Sequence, residues 1–79
     1  SYVNIENNYG SDLKEMHVVA VIPELGLRVS LGPFTIDDEE EATKRLLVDT
    51  YGAEPGDYYV RITVSNDDIR RVKHRIITI

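Results

Sequence analysis

The side chains able to do chemistry near neutral pH are few: His17 and His74, the serines Ser1, Ser11, Ser30 and Ser65 with several threonines, and the carboxylate run Asp37 to Glu41. A serine nucleophile needs a base and a strained elbow to present it, but Ser30 and Ser65 read as strand residues and no G-x-S-x-G occurs. His17 and His74 fall on different expected strands, and no third ligand has the spacing a shared zinc site would require. Asp37-Asp38-Glu39-Glu40-Glu41 offers hard oxygen atoms for calcium, yet lacks the alternating acids and central glycine of an EF-hand loop, so it reads as a solvated acidic loop. Neither G-x-G-x-x-G nor G-x-x-x-x-G-K is present to cradle a phosphate. With no cysteine in the chain, thiolate catalysis, disulfides and sulfur-ligated metals are excluded together. The expectation is a non-enzymatic chain with no cofactor and no metal.

One charged pattern stands out near the C-terminus, where Arg71, Lys73 and Arg75 alternate with Val72, His74 and Ile76. At a period of two these cations share one face, and the expectation adds Arg61 of the preceding strand to the same side. The simpler reading is edge protection, since Lys and Arg on a terminal strand discourage edge-to-edge aggregation. The functional reading is a cationic contact surface for an acidic protein or a glycan. Beyond it, Ile76-Ile77-Thr78-Ile79 is apolar on both faces, as for a strand covered from two sides, so Ile77 and Ile79 join the candidate interaction surface. Val19 and Val21 join it too, being outward if Met16 and Val18 point inward.

The elements that must position these residues read as strands. Val3 and Ile5 alternate with polar neighbours until Asn7-Asn8-Tyr9-Gly10-Ser11-Asp12, a cluster of turn formers. Met16, Val18, Ala20 and Ile22 share a face opposite His17, Val19 and Val21, and Pro23-Glu24-Leu25-Gly26 ends the run. Leu27, Val29 and Leu31 follow, then Gly32-Pro33 before Phe34 and Ile36. Glu54-Pro55-Gly56-Asp57 has Pro and Gly where a type II turn needs them. Tyr58, Val60, Ile62 and Val64 then alternate, Asn66-Asp67-Asp68 turns the chain, and Ile69 to Ile79 completes an antiparallel hairpin. Residues 38–49 are ambiguous: Glu40/Lys44 and Glu41/Arg45 are helical pairs, whereas Leu46 and Val48 alternate as in a strand. Strand is favoured, with a small α+β fold as the alternative.

Length allows a single domain, residues 1–79, with 42% hydrophobic residues and a net charge of −5. The first forty residues set Lys14 and Arg28 against eight acids, a net of −6, while the last eleven hold four bases and no acid. An acidic chain with one basic edge is a poor partner for nucleic acid, whose binding needs many cations facing phosphate. No apolar run approaches the length of a membrane span or a signal peptide. The opening serine fits a processed chain or a piece of a longer one.

The order Val3-x-Ile5-x-Asn7-x-x-Gly10, Leu13-x-x-Met16-x-Val18, an acidic loop, then Pro55-Gly56-Asp57-Tyr58-Tyr59-Val60-Arg61-Ile62 resembles the CARDB and NEW3-type immunoglobulin-like domains. That resemblance covers most of the chain. It implies an antiparallel sandwich of about six or seven strands, in a secreted or cell-surface prokaryotic protein, with Tyr58 as a tyrosine-corner residue and Pro55 and Gly56 shaping the turn before it. Such domains usually carry a further strand before Val3, so the expectation is either that this strand belongs to a longer chain of which this is a piece or that another chain provides it. The expected work is spacing, adhesion or protein-protein contact, with a neighbouring domain or an identical subunit as partner. The alternative is a subunit of an extracellular filament or oligomer joined through an open sheet edge.

Overall fold

A computed structural model describes residues 2–79. The fold is all-β, with strands β1 (Tyr2–Glu6), β2 (Leu13–Ile22), β3 (Leu27–Ile36), β4 (Glu41–Arg45), β5 (Asp57–Ser65) and β6 (Arg70–Thr78), and a 3₁₀ turn at Pro23–Leu25. They form two antiparallel sheets of unequal width, β1-β4 and β3-β2-β5-β6. This is the order of an immunoglobulin-type sandwich reduced to its central pair on one side. Among the described residues, no helix is long and apolar enough to cross a membrane.

Alternation in sequence becomes alternation in burial. Val18, Ala20 and Ile22 of β2 meet Tyr58 and Val60 of β5 in the main core, which Leu46 closes from above. Leu13, Met16 and Ile36 form a second cluster at the other end. Strict alternation back from Val18 would turn Leu13 outward. A register shift between Leu13 and Met16, with Glu15 at φ 55°, inserts the extra residue that brings Leu13, Met16 and Val18 all inward. The radius of gyration is 13.6 Å, against about 12 Å for a compact chain of this length, so long strands cover a thin core.

Asn7 is the buried polar residue of the core, 1% exposed. Its Nδ2 donates to the carbonyls of Ser11 and Ile36 at 2.9 Å and of Asp37 at 3.1 Å, and its Oδ1 accepts from the Tyr9 amide at 3.0 Å. One side chain thereby ties the loop after β1 to the end of β3, satisfying carbonyls that the turn leaves without ladder partners.

The favoured strand reading of residues 38–49 holds, and the type II turn expected at residues 54–57 is corrected. Residues 38–49 contain no helix: the strand lies at Glu41–Arg45, and Leu46 and Val48 continue it as an extended segment with alternate residues inward. Lys44, the residue of the helical Glu40/Lys44 pair, instead sits on the inner face with Nζ 4.5 Å from the Phe34 ring centroid, a cation–π contact. Gly56 takes φ 154°, far from the +80° of a type II turn, and exchanges backbone hydrogen bonds with Ile79 at 3.0 and 2.9 Å. Pro55-Gly56 thus extends the β5-β6 ladder by one pair. The Asn66 turn is as expected, with Asn66 Oδ1 accepting from the Asp68 and Ile69 amides at 2.8 and 2.9 Å.

Candidate functional site

Tyr58 is where the strand pattern places it, 8% exposed, and its hydroxyl donates to the Glu54 carbonyl at 2.5 Å. A tyrosine near the start of the penultimate strand that bonds back to the backbone four residues upstream is a tyrosine corner. It pins the loop before β5 and so fixes where the β5-β6 hairpin begins.

The hairpin register decides which way the cations point. Val60 pairs with Arg75, Ile62 with Lys73 and Val64 with Arg71. Directly paired residues share a face, so Arg71, Lys73 and Arg75 lie on the inner side of the large sheet, in line with the core. Arg61 pairs with His74 and is therefore on the opposite, outer side. The expected row of four is a row of three, and Val19 and Val21, paired with Thr63 and Arg61, belong to the outer face with Arg61. Ile77 and Ile79 pack against the main core, while Ile76 is 64% exposed on the outer side. The end of β6 is covered on one face, not on two.

The narrow sheet leaves part of the inner face open. β4 lies toward β3, as the Lys44–Phe34 contact shows, and between β1 and β6 runs a cleft of about 870 Å³. All five residues of β1 line it, whether their side chains point in or out, which means that the unpaired edge of β1 borders it rather than a face. Its floor is Val60, Ile62 and Val64, its far wall is Arg71, Lys73 and Arg75, and Tyr2 and Tyr9 stand exposed at the rim.

The outer face carries a second feature. Tyr59 and His74 stack with ring centroids 5.3 Å apart at 24°, and the Tyr59 hydroxyl meets His74 Nδ1. His17, on β2, stands opposite Ser65 on this face, a base beside a hydroxyl, but among the described residues no hydrogen bond joins them. No three His, Asp or Glu side chains among the described residues converge as metal ligands. The acidic run forms a turn in which Asp38 N–H donates to Asp12 Oδ1 at 2.8 Å and Glu40 N–H to the Asp37 carbonyl at 3.0 Å.

No family profile, curated protein or solved structure matches this chain. The cleft is the feature on which a functional reading is built. Sequence reasoning found its cationic wall through the alternation of Arg71, Lys73 and Arg75. It missed the role of the β1 edge, because nothing local in Tyr2–Glu6 says that only one of its two edges will be paired.

Proposed function

We propose that this chain is a non-enzymatic protein-contact module that accepts an extended polypeptide segment into the cleft between its two sheets. The observation that carries the reading is the free edge of β1 bordering an apolar floor. A free edge supplies a row of main-chain donors and acceptors for a third strand, and alternate side chains of that strand would cover the half-buried Ile62 and Val64. A structural or adhesive role in a secreted or cell-surface protein is part of this proposal, as is kinship with CARDB modules. The tyrosine corner at Tyr58 and the sheet order agree with the sandwich fold that such kinship requires.

Selection of a displayed random-peptide library against the immobilised chain tests the reading. Enriched peptides should shift the amide resonances of β1 and of the inner face of β5. Enriched peptides that map to the outer face around Tyr59 and His74 would refute it, as would hydrolytic turnover lost on changing His17, Ser30 or His74.

Assembly of identical subunits through the free edge of β6 is the second reading, favoured by the exposed Ile76. Antiparallel self-pairing of β6 centred on Lys73 would set Arg71 opposite Arg75, and like charges directly opposed destabilise a pair. Sedimentation over a range of concentrations separates the two readings, since the first keeps the chain at 9.0 kDa.

A further inference from the structure

The chemistry of the two cleft walls narrows what the cleft can hold. On β6, Arg71, Lys73 and Arg75 present three cations in line on the inner face. Among the described residues no carboxylate bonds to them, and Arg75 Nη1 donates to the His74 carbonyl at 2.9 Å. The facing wall is the unpaired edge of β1. Asn7 N–H donates to the Glu40 carbonyl at 2.9 Å, in register with the Glu6/Glu41 pair. Backbone groups alternate sides along a strand, so Val3, Ile5 and Asn7 bond toward β4, while the N–H and C=O of Asn4 and Glu6 face the cleft. An apolar floor lies between a row of amide partners and a row of cations.

We infer that the occupant is an extended acidic peptide segment of another protein, added beside β1 with its carboxylates on Arg71, Lys73 and Arg75. The inference rests on the strand-accepting reading and deepens it. A second copy of the chain is a poor occupant, because its acidic run is closed into a turn with Glu39 at φ 62° and cannot present an extended edge. A sulfated glycan or nucleic acid could meet the cations but has no amide ladder to offer β1. The attraction is confined to the cleft, as the whole chain carries −5. Long side chains suit this arrangement: glutamate methylenes lie on Ile62 and Val64 while the carboxylate reaches a guanidinium or ammonium.

The test titrates the intact chain with a synthetic peptide of alternating Glu and Val, about ten residues and so ~33 Å when extended. Amide shifts and hydrogen exchange follow the binding. Such a peptide can turn either face inward, so the cleft itself chooses between valine and glutamate. The expected result has four parts. Exchange at Asn4 and Glu6 slows on binding. Affinity drops about tenfold as salt shortens the Debye length from ~10 Å at 0.1 M to ~3 Å at 1 M. The double variant Lys73→Glu with Arg75→Glu binds at least about tenfold more weakly. A Ser/Val peptide is weaker than Glu/Val by a similar factor.

Equal binding of the Ser/Val and Glu/Val peptides overturns the acidic occupant while leaving strand acceptance in place. Binding with exchange at Asn4 and Glu6 unchanged, or full displacement by a heparin oligosaccharide, reduces the row to a cationic patch and overturns the inference. Absence of binding by either peptide removes both readings. Should the charge-reversed variant fail to fold, the salt and peptide comparisons on the unaltered chain still decide.

Discussion

Val60 and Arg75 stand directly opposite each other across the β5-β6 pair, one 5% exposed in the core and the other open to solvent on the same face. The inner face of the large sheet therefore changes from apolar to cationic within a single strand spacing, roughly 4.8 Å. Two consequences follow from that boundary. Along Arg71 to Arg75 the core stops at β5, and there β6 presents cations to solvent where its inner face is not roofed, while Ile77 and Ile79 beyond them still pack against the core. Aliphatic stems of Arg71, Lys73 and Arg75 shade the edge of the core while their charged ends stay in water.

Replacing Lys73 and Arg75 with isoleucine tests that account. β-Branched residues suit a strand, so the monomer should keep its stability to within about 1 kcal/mol. Self-association should rise, because an apolar open edge is a template for pairing. Sedimentation at increasing concentration reads the outcome, and a variant as monomeric as its parent would refute edge protection by these cations.

Two tyrosine hydroxyls give a paired comparison. Tyr58→Phe removes a largely buried bond to the Glu54 carbonyl and should cost about 1–2 kcal/mol in a denaturant titration with unchanged slope. Tyr59→Phe removes an exposed bond to His74 and should cost no more than about 0.5 kcal/mol. Equal losses would mean that the corner does not pin the β5 loop.

Asn7→Ala should destabilise by about 2–4 kcal/mol, since the carbonyls of Ser11, Ile36 and Asp37 lose their shared donor in a buried site. Asn7→Asp should be worse at neutral pH, where the introduced carboxylate would face those same carbonyl oxygens. Burial raises the pKa of that introduced carboxyl in the folded state, so folding binds an extra proton and the deficit relative to the parent shrinks as pH falls. Thermal unfolding at two pH values is the measurement. A deficit independent of pH would contradict the burial of this position.

Gly32 has φ 121°, and a Cβ built on it would lie 2.5 Å from the Met16 carbonyl oxygen and 2.9 Å from His17 Nδ1. Gly32→Ala should therefore cost about 2–3 kcal/mol, from backbone strain together with collision against β2 at Met16 and His17. Gly52, also at positive φ, has open space around its would-be Cβ, so Gly52→Ala should cost about 1 kcal/mol. Comparable losses at the two positions would show that β2 yields freely at Met16 and His17.

Much of the strand pattern is local and therefore legible in the sequence. Met16, Val18, Ala20 and Ile22 announce β2 because side chains on a strand alternate faces whatever the partner, and the same holds for Tyr58, Val60, Ile62 and Val64. The Asn66 turn is legible as well, because its side chain satisfies its own neighbours' amides. Residues 38–49 are ambiguous in the sequence for a matching reason: the i,i+4 charge pairs are a helical preference worth a few tenths of a kcal/mol, which pairing with β1 and burial of Leu46 override.

Tertiary structure alone decided the face on which Arg71, Lys73 and Arg75 fall. That face depends on the β5-β6 register, which the closure Ser65/Arg70 around the Asn66 turn sets so that these cations meet Val64, Ile62 and Val60; a slip of one residue would have moved them to the face of Arg61. The buried role of Asn7 was equally hidden, since its acceptors at Ile36 and Asp37 lie about thirty residues away in the chain. Tertiary structure also decided that β1 pairs with β4 on one edge and borders a cleft on the other. Alternation within five residues fixes which side chains share a face, but the backbone donors and acceptors of the two edges are chemically identical. Only the placement of every other strand determines which edge is left free.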